Sequence, residues 1–569
     1  MGIGWNRLRL ARLGALGALV LTGSSSALAA DLTIVVTSIA DEASDVNDLC
    51  TLREALSTVN SLVQVDSCGP GAAGSPLPVG PLDGLTIQIP AGTYVLGVPG
   101  TSEDLNASGD LDVRRTVTIS GAGIDQTVID GAQNDRVLEV HSVTSLLGRP
   151  VVLRGLTLRS GRPPIEQNGG CLRSKSSLLL LERTRIAECD TPEPVFGGFG
   201  GLGGGISIEG GAVTIRRSEI VDNTAFQGSG GGILVAESAA VDIVDSTIAR
   251  NRALIQNGFV SGGGLSNFDG TVNILGSAVI DNEVTGSGGG LANGGILART
   301  MNVMNSTIAR NSATGGGGGI NNTRDLSLTN VTITENVADS NGDDDGDGGG
   351  LRVSASGFAS AVLKANVIAW NQDDSPVGST SIRPDVSGTV NSAGFNIVLD
   401  GEGLSGIVDG VLSDRVGVDP LLDLPTGSPE HYPLLPGSVA IDQIPRPVCV
   451  AVSTGANTLW RPVPASRPIS AESAAAPSAR SAPSRIARPK SSSTAGSRAT
   501  TRPGHRPSPD SPAWLLQSRP CSVQADKRPW PPGASDRVER LRACCAPVAA
   551  WAGCVARDGW RPPAASVGS

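Results

Sequence analysis

The sequence predicts an all-β fold: a right-handed, single-stranded parallel β-helix with a short N-terminal capping helix and a disordered C-terminal tail. Three observations lead there. Between residues 151 and 371 one phrase returns eight times, two apolar residues one position apart, a short gap, then a small or apolar residue and another apolar one, usually with an asparagine three positions on. It reads Val-Asp-Ile-Val-Asp-Ser-Thr-Ile-Ala-Arg-Asn at 241–251 and Met-Asn-Val-Met-Asn-Ser-Thr-Ile-Ala-Arg-Asn at 301–311. The final apolar residues are Leu158, Ile186, Ile220, Ile248, Val279, Ile308, Ile333 and Ile368, about 25 to 35 residues apart, a spacing typical of repeat architectures. Within each copy apolar and polar positions alternate, the period of a strand with one buried face, and helical periodicity is absent.

The first element, residues 1–29, reads as a secretory signal peptide. Arg7, Arg9 and Arg12 precede the apolar run Leu13–Leu21, and Ala27-Leu28-Ala29 offers a small-x-small exit. A membrane helix needs about 20 apolar residues, and this run is shorter. The mature chain is therefore expected outside the cytoplasm, with no transmembrane segment after cleavage.

Residues 30–135 form the next element, a cap with the first coils. Leu52, Ala55, Leu56 and Val59 share one face of a short helix over 52–60, which can cover strand edges left open at the first coil. Arg53 and Glu54 are then expected to anchor this cap through ion pairs rather than to catalyse.

Residues 136–445 carry the repeats. A glycine run closed by one apolar residue stands ahead of most copies: Gly203 to Ile206, Gly230 to Ile233, Gly262 to Leu265, Gly288 to Leu291, Gly315 to Ile320 and Gly348 to Leu351. Glycine reaches positive φ without steric cost, so each run can form a sharp corner. Two short strands, a corner and a third strand in about 29 residues make one coil, whose inward face is buried only by stacking on its neighbours. Asn223, Asn251, Asn282, Asn311, Asn336 and Asn371 then fall at one corner, where side-chain amides can form a ladder.

The last element, 446–569, is rich in Pro, Arg, Ser and Ala and has no periodicity, so it cannot offset its chain entropy by burial. From 451 onward 17 Arg and Lys face 6 Asp and Glu, a net of +11 in a chain of −10. Residues 30–450 are left at −24 once the signal arginines are removed. Two readings stand: a flexible basic appendage, or translation out of frame from about residue 445. The acidic, aromatic-poor body argues against nucleic acid as a partner.

Four cysteines in the body form two pairs of equal spacing, Cys50 with Cys68 and Cys171 with Cys189, and an even count in an exported chain reads as disulfides. Cys171 is assigned to the apolar slot after Gly169-Gly170, and Cys189 to the slot that holds asparagine elsewhere. Zinc is not expected, because Cys-x-x-Cys is absent and His141 has no second histidine near it.

Asp48-Leu-Cys-Thr-Leu-Arg-Glu-Ala55 resembles the Cys-Ser-Leu-Arg-Glu-Ala motif that names the CSLREA-domain family of bacterial exported proteins. Ile87-Gln-Ile-Pro-Ala-Gly-Thr-Tyr94, Gly109-Asp-Leu-Asp-Val113, Val117-Thr-Ile-Ser-Gly-Ala-Gly123 and Ile129-Asp-Gly131 fit it as well. Thr51 stands where the family has serine. The middle of the chain resembles pectate-lyase-type β-helices, and its Gly-Gly-x-Ile and x-x-Asn phrases resemble polymorphic outer-membrane proteins. Family members usually run on, after a phrase like Pro436–Asp442, to Asp-Ile-Gly-Ala-Phe-Glu, which is missing here.

Chemistry is sparsely signalled. The body has two histidines, His141 and His431, and within the body Arg-x-Lys occurs only as Arg173-Ser174-Lys175, far from the acidic cluster Asp343-Asp344-Asp345-Gly346-Asp347. Asp343, Asp345 and Asp347 are candidate calcium ligands, since hard oxygens alternating with glycine suit that ion, although EF-hand spacing is absent. A solvated acidic turn is the competing reading. No catalytic residue and no cofactor beyond that calcium is assigned. The main expectation is a monomeric surface or secreted protein with a structural or adhesive role toward a polysaccharide or protein ligand; the alternative is a carbohydrate-active β-helix enzyme. Aligned carboxylates and a basic residue on one strand face would favour the enzyme, and scattered Ser, Thr and Asn the adhesive role.

Overall fold

The computed structural model describes residues 31–445, apart from short breaks at 44–45, 80–83, 144–147, 194–199, 256–259, 296–299 and 380–381. The signal-peptide and tail expectations lie outside the described residues. The eight repeat residues stack as expected. Leu158 pairs in parallel register with Ile186, and the column continues through Ile220, Ile248, Val279, Ile308 and Ile333 to Ile368, every side chain fully buried. Ile129 extends it at one end and Val398 at the other. A second column runs from Leu111 through Leu138, Leu172 and Ile206 to Val386. Its register crosses residue 135 without a break.

Each middle coil has four strands, not three. Thr224–Phe226, Arg252–Leu254, Glu283–Val284 and their equivalents make a separate seven-stranded parallel sheet just after the asparagine. Its basis is a small apolar residue two positions past that asparagine: Ala225, Ala253, Val284, Ala313 and Ala338 are all fully buried. Strands of two or three residues are too short to show a period, which hides this sheet from pattern reading.

The glycine corners form as expected. Gly203, Gly230, Gly262 and Gly288 have φ of 72°, 74°, 72° and 79°, each three residues ahead of a strand. The last glycine of a run has a different constraint: a Cβ on Gly205, Gly232 or Gly264 would meet the amide of Asn223, Asn251 or Asn282 at about 3 Å. Those asparagines form a buried ladder. Asn223 Nδ2 donates to Asn251 Oδ1 (2.9 Å), Asn251 to Asn282 (3.0 Å), Asn282 to Asn311 (2.9 Å), Asn311 to Asn336 (2.9 Å) and Asn336 to Asn371 (2.9 Å). Asn371 donates to Asp385 (2.8 Å), where an acceptor-only carboxylate closes the series.

Both disulfides are present, each closing an 18-residue separation. Cys189 does hold the asparagine slot, since its N–H donates to Asn223 Oδ1. Cys171 does not hold the apolar slot: Leu172 pairs with Ile206, so Cys171 replaces the last glycine of a run. In this coil a covalent bridge stands where the others have a glycine against an asparagine.

The helix spans Leu52–Ser61 and packs against the strands Leu85–Gln88 and Leu111–Val113. Thr51 and Glu54 form a capping box at its start, which satisfies two orphan N–H groups. Arg53, fully buried, pairs with Asp41 and donates to the carbonyls of Gly109 and Asp110, joining the helix to the first coils. No helix of the described residues is long and apolar enough to cross a membrane.

Candidate functional site

Parallel register places Asp112, Glu139, Arg173 and Ser207 side by side on four successive strands. Alternation puts His141 and Lys175 on the same side of their strands as Glu139 and Arg173, with Lys175 opposite Glu209. Arg173-Ser174-Lys175 is thus far from the Asp343–Asp347 cluster, as its sequence position implies, yet it lies directly on carboxylates that come from other coils.

His141 is the centre of the group. Its Nε2 lies 2.6 Å from Asp112 Oδ1, and its Nδ1 lies 3.5 Å from Glu139 Oε1. The Lys175 ammonium pairs with the same Glu139 oxygen. Arg173 pairs with Glu209 at 2.7 Å and reaches Glu139 at 3.8 Å. Exposure divides the group into two layers: Asp112 and Glu139 side chains are 1 % and 3 % exposed, whereas His141, Arg173 and Lys175 are 15 %, 23 % and 32 % exposed. The three basic groups make the outer layer together with exposed Asp104, and the two buried carboxylates lie behind them.

The loop before Leu111–Val113 covers the carboxylates. Asn106 donates its backbone N–H to Asp112 Oδ2 and its amide to the Arg53 carbonyl and Ser57. Deeper, buried Arg136 pairs with Asp110 and Glu139, both at 3.1 Å. Burial pushes the Asp110 carboxyl up to about 8; Asp135, Asp112 and Glu139 push the same way and Arg136 opposes them. Asp135 is raised too, chiefly by burial. Glu209 is the contrast: burial pushes it up, but hydrogen bonds from Arg173 and Asn168 outweigh that and hold it below its usual range.

Among the described residues, Asp104, Glu139 and His141 have ligand atoms within 4.8 Å of one another, a possible cradle for a cation. The Lys175 ammonium already neutralises Glu139 there. The expected calcium residues are arranged differently. Asp347 accepts from Arg352 and Arg383 at 2.7 and 2.8 Å, and Asp343 accepts from Asn341 and the Asp345 N–H. Asp339 receives the N–H groups of Asp343 and Asp344, as in a capped polar turn. The structure does not bring Asp343, Asp345 and Asp347 onto one point.

Sequence reasoning passed over His141 because no second histidine or flanking glycines accompany it. The available signal was Asp112, Glu139 and Arg173 each following the first apolar residue of its strand, which becomes visible only when those strands are aligned.

No family model matches the chain, and no curated protein sequence matches it either. Solved structures do. The chain is similar to the A-module of a mannuronan C-5 epimerase from Azotobacter vinelandii, at 15 % identity and a TM-score of 0.28, over 59 % of this chain and 89 % of that one. It is similar to the catalytic domain of a GH87 alpha-1,3-glucanase, at 12 % identity and 0.30, over 58 % and 63 %. A mannuronic acid-specific polysaccharide family 6 lyase from human gut microbiota follows, at 12 % identity and 0.23, over 57 % and 85 %. At these identities and scores the likeness is one of fold alone, the parallel β-solenoid.

Proposed function

We propose that this chain is an exported β-helix enzyme that acts on an acidic polysaccharide by proton transfer at His141. The observation that carries the reading is the two-layer cluster: partly exposed His141, Lys175 and Arg173 backed by buried Asp112 and Glu139. A proton on the carbon next to a sugar carboxylate becomes removable once a cation neutralises that carboxylate. Lys175 and Arg173, held by Glu139 and Glu209, are the cations on that surface, and His141 is the side chain placed to move the proton. Hydrolysis by two carboxylates is disfavoured, because Asp112 and Glu139 are both buried against His141.

The test is turnover by the purified full-length protein on polyuronates and neutral glucans, read by unsaturated-product absorbance, reducing ends and proton NMR. Polyuronate turnover that His141→Ala and Lys175→Ala abolish, and that Arg250→Ala on a distant exposed pair leaves intact, is the expected result. No turnover on any substrate by the wild type would defeat the reading. The adhesive role would then stand, supported by the continuation of the same column as Ser207, Leu234, Ser266 and Ala292, none of which titrates.

A further inference from the structure

Seven coils beyond Glu139 the same column reaches Arg352, with Ser387 as its neighbour on the next strand. A cavity of about 350 Å³ opens there, lined by Arg352, Arg383, Asp347 and the hydroxyls of Ser387, Thr389 and Ser405. Asp347 holds both guanidinium groups at once: Arg352 Nε donates to one carboxylate oxygen at 2.7 Å, and Arg383 Nη1 to the other at 2.8 Å. Ser387 donates to the second oxygen as well. Gly403 leaves room for the Arg383 stem, since a Cβ there would lie 2.4 Å from its Cγ and Cδ.

A guanidinium carries five N–H donors. Apart from these bonds, Arg352 makes one long contact with Asn321 (3.4 Å), and Arg383 Nη1 one with Ser387 (3.4 Å). Each arginine side chain is 38 % exposed. Among the described residues, one carboxylate between two arginines leaves the charged lining at +1, with most of the guanidinium donors unused and hydroxyls around them. Such a set suits an oxyanion attached to a sugar, because arginine binds carboxylate and sulfate through two N–H groups and the hydroxyls match sugar oxygens.

We propose that the Arg352–Arg383 cavity is an anion-binding subsite for an acidic glycan, separate from the His141 cluster, with Asp347 positioning the two guanidinium groups. The choice of a glycan rests on the function proposed above; the anion site itself does not.

The test is calorimetric titration of the full-length protein with three size-matched oligosaccharides: an oligouronate, a sulfated neutral oligosaccharide and an uncharged glucan. The anionic ligands are expected to bind and the uncharged one not; the uronate and sulfate arms tell which oxyanion is preferred. Arg352→Ala/Arg383→Ala should weaken binding at least tenfold with unchanged thermal midpoint. Arg352→Lys/Arg383→Lys, which keeps the charge but loses the fork, should fall between and serves if the alanine pair fails to fold. Arg250→Ala, on a distant exposed pair, should bind as the wild type does, whether or not the protein turns over any substrate. Equal binding by wild type and the folded arginine variants, or equal binding of charged and uncharged oligosaccharides, would overturn the proposal.

Discussion

Replacing Asn251 by alanine removes the middle of the ladder. Its amide donates to the Ile220 carbonyl at 2.8 Å and to Asn282 Oδ1 at 3.0 Å, and its Oδ1 accepts from the Asn223 N–H at 3.1 Å and from Asn223 Nδ2 at 2.9 Å. All four bonds are buried. Asn282 Oδ1 keeps the Asn251 backbone N–H, and Asn223 Nδ2 keeps the Ile186 carbonyl, but the Asn223 N–H loses the acceptor described for it. At about 0.5 to 1 kcal/mol net for each of the four bonds, plus about 1 kcal/mol for an unmet buried donor, the loss comes to roughly 3 to 5 kcal/mol. In a solenoid that loss is local to one interface between coils. Urea unfolding of Asn251→Ala followed by circular dichroism should show it, and hydrogen exchange should speed up at 247–254 while 118–140 stays protected. Asn341→Ala, in an exposed turn, is the control and should change stability by less than about 0.5 kcal/mol. A loss below about 1 kcal/mol for Asn251→Ala would refute the idea that the ladder holds the corner.

Two further perturbations follow from the same structure. Cys171→Ser/Cys189→Ser reopens an 18-residue span and should cost about 3 kcal/mol in urea unfolding, so a loss indistinguishable from zero would count against a stabilising bridge. For pH, burial raises Asp110 to about 8 and Asp385 to about 6, both above their unfolded value of 3.8. Each group binds a proton in the folded state that the unfolded chain releases, so its contribution is full below about pH 4 and is lost as pH rises to about 6 for Asp385 and about 8 for Asp110. Thermal midpoints should therefore fall between pH 5 and 8, and Asp110→Asn should flatten that fall; an unchanged slope would contradict the assignment.

The candidate calcium ligands Asp343, Asp345 and Asp347 illustrate where local reading stops. Spacing in sequence says nothing about Arg352 and Arg383, which reach Asp347 from the following strand and from a loop of the next coil. The Cys171 slot was one position off for a related reason: pattern matching aligned apolar residues, whereas the backbone register aligned Leu172 with Ile206 and left the cysteine in a glycine position.

The sequence by itself determined the solenoid, the inward column from Leu158 to Ile368, the asparagine ladder, the glycine corners, the capping helix and the partners of both disulfides. Each of these repeats at a fixed spacing or depends on residues close in the chain, so a single copy carries its own signal. Only the tertiary structure decided the His141 cluster, the Asp347 clamp and the fourth strand of each coil. Asp112, Glu139 and Arg173 are about 30 residues apart in sequence and become neighbours because parallel stacking sets adjacent strands about 4.8 Å apart. Charges brought together in that way have no pattern along the chain, since one coil supplies one residue and its neighbour supplies the partner.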